Sequence, residues 1–128
     1  MKTIVVAYND TNDSDRALER TAELARLYDA RVVVTSVVPV LVGGQPQTGP
    51  GPELQHAQAL LRDRGIEAEL VEAAGEIADA IVEVADRHGA DLIVVGTREL
   101  SHVERMLGYS VSESVQRKAR CDVLIVHP

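Results

Sequence analysis

Two rhythms of apolar and polar positions alternate along the chain: short unbroken apolar runs, and longer stretches with an apolar residue at every third or fourth place. Residues 3–8 are an apolar, β-branched run, the pattern of a strand covered on both faces and expected at the centre of a sheet, and residues 31–38 follow as the second strand. Residues 66–73 instead alternate Ile66, Ala68 and Leu70 with Glu67 and Glu69, which predicts an exposed or edge strand. Residues 91–95 and 122–127 supply two more short runs.

Between these runs the helical period appears. Asp13 or Ser14 is placed to cap a helix whose buried stripe is Ala17, Leu18, Thr21, Leu24, Ala25 and Tyr28. Pro52 and Glu53 suit a first turn, followed by Leu54, Ala57, Leu60 and Leu61 and a stop at Gly65. Residues 75–88 read as a helix burying Ile77, Ile81 and Val84, with Gly89 as its stop. Residues 40–51 carry glycine and proline without any apolar period and predict a mobile loop, either a functional lid or a dispensable excursion.

Strands alternating with helices predict an α/β sandwich with a parallel sheet, because each crossover is long enough to return the chain right-handedly. The 128 residues, 45 % of them hydrophobic, fit one domain, residues 1–128, with a real core. A net charge of −7 disfavours nucleic acid and anionic membrane as partners, and three tyrosines without Phe or Trp leave little to stack on bases. The opening apolar run is too short for a signal segment or a membrane span, so a cytoplasmic protein is expected. Cys121, alone, reads as an inert core thiol.

The stretch from Asp91 to Val115 holds the most chemistry. Its strand ends on Gly96, a polar loop follows, and two helix-start signatures come next, Ser101 with Glu104 and Ser110 with Glu113. They predict a short helix over 102–107, stopped by Gly108, and a longer one after Ser110 with the stripe Val111, Val115 and Ala119 and with Arg117, Lys118 and Arg120 in its last turn. Strand, glycine, polar loop and helix start is the order in which α/β proteins build a phosphate cradle.

Gly96, Ser110, Val111, Glu113 and Val115, followed by the run from Cys121 to Val126, resemble the C-terminal signature of the universal stress protein family. The resemblance covers nearly the whole chain, including the opening strand and the Gly75-Glu76 turn. It implies a Rossmann-like, adenine-nucleotide-hydrolase-like sandwich with a five-stranded parallel sheet in the order 3-2-1-4-5, a stress-response or signalling role, and a two-fold dimer. Members that bind ATP carry G-x2-G-x9-G-[ST]; this chain keeps the spacing, with Gly96 and Ser110 in place, but has Glu99 and Tyr109 at the second and third glycines. In the implied strand order the winding reverses between strands 1 and 4, where a ligand crevice is expected. Asn9 and Asp10 would lie at its nucleoside end with Val38 closing the second strand, facing Gly96, Thr97, Arg98, Gly108, Ser110 and Val111 on the phosphate side.

Relatives that bind ATP have an aspartate where Asn9 stands, and an amide lacks the charge-assisted strength of a carboxylate. Glu99 beside a triphosphate adds like-charge repulsion of ~1–4 kcal/mol at 4 Å, and Tyr109 would strain a positive φ. Arg98, His102 and Arg105 could meet phosphate, or could neutralise Glu99 and Glu104 on a solvated face with Ser110 simply a cap; we expect the second, hence a degenerate site without a cofactor and binding rather than catalysis. The alternative is an adenine-nucleotide switch that takes ATP with Mg, with slow hydrolysis. His56, His88, His102 and His127 lack metal spacing and read as surface or satisfied histidines. No G-x-S-x-G elbow occurs, and the acidic pair and lysine of a phosphoacceptor domain and the aromatics of a flavin site are wanting. The last strand, with Val123, Leu124, Ile125 and Val126 free of internal charge or proline, invites a homodimer if it forms the sheet edge, unless the last helix covers it.

Overall fold

The computed structural model describes residues 1–38, 51–97 and 110–128. The glycine- and proline-rich loop and the short helix expected over 102–107 lie outside them. Along the described residues run β1 (Thr3–Ala7), α1 (Asn12–Tyr28), β2 (Arg31–Val38), α2 (Pro52–Asp63), β3 (Ala68–Ala74), α3 (Ile77–Arg87), β4 (Leu92–Gly96), α4 (Val111–Lys118) and β5 (Asp122–Val126). The strands are parallel and ordered β3-β2-β1-β4-β5, so β1 is central and the winding reverses between β1 and β4.

Because successive strand residues point to opposite faces, the apolar runs build two cores. Ile4, Val6, Val32, Val34 and Val94 pack with Leu18 of α1 and with Leu54 and Leu61 of α2. On the other face Val5, Val33, Ile93 and Val95 pack with Ile81 and Val84 of α3 and with Val115 of α4. The edge strand β3 is at most half-buried, with Glu69 and Glu72 exposed, as its alternation predicts.

Several local expectations are corrected by how the helices begin and end. Thr11, not Asp13 or Ser14, caps α1: its hydroxyl accepts the Ser14 N–H while the Thr11 N–H donates to Ser14 Oγ at 3.0 Å. Leu24 is only half-buried and Tyr28 is exposed, because the chain reverses at Asp29 (φ 51), which does the work of a terminal glycine, and Ala30 N–H returns to the Ala25 carbonyl. Strand β3 starts later than its apolar pattern because Ile66 N–H bonds the Leu61 carbonyl in the left-handed turn at Gly65 (φ 76), and so is lost to the ladder. Ile77 and Val111 are exposed as first residues of their helices, and burial passes to Ala78 and Ser112.

Candidate functional site

The carboxyl ends of β1, β2 and β4 meet where the winding reverses. Tyr8 N–H donates to the Thr35 carbonyl at 2.9 Å, extending the β1–β2 ladder by one residue before the loop into α1. Asn9 follows, its amide N–H 3.4 Å from Ser14 Oγ and its Oδ1 accepting from Thr11 Oγ1 at 2.7 Å. Asp10 is left-handed at φ 58. The loop is thus tied inward by the hydroxyls of the capping box.

What faces Gly96 is Asp13 in the first turn of α1: a Cβ on the glycine would stand 2.7 Å from the Asp13 carbonyl carbon and closer still to its oxygen. Thr97 N–H donates to the Val126 carbonyl at 3.0 Å, binding the strand end to β5. Ser110 caps α4, accepting the Glu113 N–H at 3.3 Å, and its hydroxyl lies 3.0 Å from that of Ser112. Val38 is half-buried at the end of β2, with its carbonyl accepting from Gly75 N–H at 3.4 Å. Arg98 and Gly108 lie outside the described residues, as do Glu99, His102, Arg105 and Tyr109.

The Asp10 carboxylate accepts from His56 Nδ1 at 2.8 Å and lies 3.1 Å from the Tyr8 hydroxyl. That hydroxyl donates to Asp15 Oδ1 at 2.7 Å and sits 3.1 Å from His56 Nδ1. One turn earlier on α2, Glu53 accepts from Ser36 Oγ, at the end of β2, at 3.0 Å. Burial and then Asp15 push the Tyr8 phenol well above its ordinary value, so it remains a donor, while the hydrogen bond from His56 first of all holds Asp10 below the usual carboxylate range.

This polar cluster was not legible in the sequence, since His56 lies 46 residues from Asp10. The one available signal was Tyr8, because a tyrosine closing a buried apolar run must find a partner for its hydroxyl. Among the remaining histidines, His88 is satisfied by the Val84 carbonyl at 2.8 Å and His127 is exposed. Among the described residues no group of three His, Cys, Asp or Glu is arranged for a metal ion, and no helix is long and apolar enough to cross a membrane. Cys121 is half-buried, and burial, then the nearby Asp86, push its thiol up, away from the reactive thiolate.

A doubly wound parallel sheet whose winding reverses between β1 and β4 defines the class of nucleotide-fold α/β proteins. Within that class the chain belongs to the universal stress protein family, whose model matches residues 1–127. A universal stress protein of Mycobacterium tuberculosis is 35 % identical over 142 residues, covering 98 % of this chain and 96 % of the relative. Another from Synechocystis is 31 % identical over 133 residues, covering 98 % and 85 %. Among solved structures, a universal stress protein in complex with cAMP superposes with a TM-score of 0.82 at 32 % identity, covering 98 % of this chain and 96 % of that one. One from Archaeoglobus fulgidus in complex with dAMP gives 0.77 at 26 % identity, covering 98 % of each.

Proposed function

We propose that the chain acts in the stress response by binding rather than by turnover, through a crevice that has lost the means to hold a triphosphate tightly. The carrying observation is the packing of Gly96 on Asp13. The glycine is needed there whether or not a phosphate is bound, and Ser110 is likewise needed as the cap of α4. Gly96 and Ser110, which have a structural task, keep the motif's residues, and its second and third glycines are replaced by Glu99 and Tyr109.

A second reading is favoured by the relatives solved with cAMP and dAMP: an adenine nucleotide with one phosphate. Such a ligand brings fewer charges toward Glu99 than ATP, so the like-charge penalty shrinks with them. The residues that would hold it are Asn9 and Val38 at the nucleoside and Gly96, Thr97, Arg98, Gly108, Ser110 and Val111 at the phosphate. Asp10 stands with Asn9 at the nucleoside end, its carboxylate bonded to His56.

Calorimetry separates the readings. With Mg-ATP, no saturable binding below the millimolar range is expected, and a micromolar constant would overturn the degenerate site. With cAMP or AMP, a micromolar constant would establish the second reading. Glu99→Gly with Tyr109→Gly should strengthen nucleotide binding by about tenfold or more, each tenfold corresponding to about 1.4 kcal/mol.

Assembly as a homodimer through β5 belongs to the same proposal. Among the described residues β5 pairs only with β4, and its run from Val123 to Val126 holds no charge or proline. The opposite edge, β3, carries the exposed Glu69 and Glu72, which discourage a second chain.

A further inference from the structure

The Tyr8, Asp10, Asp15 and His56 side chains come from the residue after β1, the loop that follows, α1 and α2, and a count of protons shows which of them holds the loop. Tyr8 has one hydroxyl proton, and Asp15 Oδ1, at 2.7 Å, is its nearer acceptor; Asp10 Oδ1 is at 3.1 Å. Within the cluster that leaves Asp10 with the proton on His56 Nδ1, 2.8 Å away. With that proton on Nδ1, the ring's Nε2 points away from the pair. Without the imidazole, the Asp10 carboxylate would face a phenol oxygen whose proton is engaged elsewhere, near a second carboxylate.

Asp10 also occupies the left-handed region at φ 58, which aspartate enters more readily than most residues when its side chain finds a hydrogen bond nearby. Asn9, the residue next to it, is the nucleoside-end group of the crevice. We propose that His56 is the positioning residue of this crevice: reaching from α2, it holds Asp10 in its left-handed conformation and so sets where Asn9 is presented. The ligand consequence rests on the second reading above; the effect on the loop does not.

The test uses the full chain with His56→Ala, His56→Asn, and His56→Ala combined with Asp10→Gly. Asparagine keeps a donor near the place of Nδ1, and glycine adopts the left-handed conformation without help. Amide exchange followed by NMR reads the loop in the absence of any nucleotide. In His56→Ala, exchange of the Asn9 and Thr11 amides should accelerate about tenfold, the effect of losing one hydrogen bond to a charged group, while amides of β1 and of the interior of α1 hold their rates. His56→Asn and the Asp10→Gly combination should each restore most of the protection. Unchanged Asn9 and Thr11 exchange in His56→Ala, acceleration spread evenly over α1 and α2, or no restoration by either second variant would overturn the proposal. Titration with cAMP on the same samples should show affinity falling about tenfold in His56→Ala and returning in His56→Asn. A wild-type protein that binds neither cAMP nor AMP removes the nucleotide reading, and the exchange rates alone then decide the role of His56.

Discussion

The carboxylate of Asp91 accepts the backbone N–H of Thr3 at 2.9 Å, and that of Lys2 at 2.7 Å, joining the turn into β4 to the first residues of β1. These backbone hydrogen bonds, Lys2 first, hold the Asp91 carboxyl below its ordinary value. Asp10 is lowered chiefly by His56, and Asp79 chiefly by Lys118. A carboxyl depressed in the folded state contributes stability above its unfolded pKa of about 3.9 and loses it as pH falls through the folded value. The melting temperature should therefore hold down to about pH 4 and fall below it. Asp91→Asn should lower it at pH 7 and flatten the decline under acid; an unchanged acid limb would count against this assignment.

Gly96→Ala should destabilise the fold by about 1–3 kcal/mol, the usual cost of forcing a methyl into a packed site. The neighbour it would displace is backbone of α1, which cannot swing aside as a side chain can. Denaturant melts should show a lowered midpoint with an unchanged slope.

Thr35 is fully buried on β2, and among the described residues its hydroxyl has no hydrogen-bond partner. Thr35→Val, of nearly the same shape, should stabilise the protein by about 1 kcal/mol by removing an unsatisfied polar group from the core. A loss of stability would mean that the hydroxyl is used in a way its surroundings do not reveal.

The open edge of β5 can be tested without disturbing its inner ladder. The Val126 carbonyl points to β4, where it accepts from Thr97, so by strand alternation the N–H groups of Val123 and Ile125 point outward. Val123→Pro removes an outward donor and leaves the β4–β5 bonds in place. Light scattering at micromolar concentration should give a dimer for the wild type and a monomer for the variant, with circular dichroism unchanged. A wild type that is monomeric there would remove the proposed assembly.

Much of the fold was legible along the chain because strand and helix periods are local. The buried runs of β1, β2 and β4, the alternation of β3 with its glutamates, and the stops at Gly65 and Gly89 follow from neighbouring residues alone. So did the cap of α4 by Ser110, since a capping hydroxyl and its N–H lie three residues apart. The family signature added the strand order, which periodicity had left open.

Only the tertiary structure decided what depends on residues far apart in sequence. Whether Tyr28, Ile77 and Val111 were buried turned on where each helix starts and stops over the sheet, not on the period of its stripe. Asp10 reads as a crevice acid from its place after β1, and it is packing that brings His56 within 2.8 Å of it. Gly96 reads as a phosphate glycine, yet what demands it is the backbone of Asp13, set against β4 by the docking of α1. A residue's own chemistry limits what it can bond, but which partner it meets is settled when the layers close.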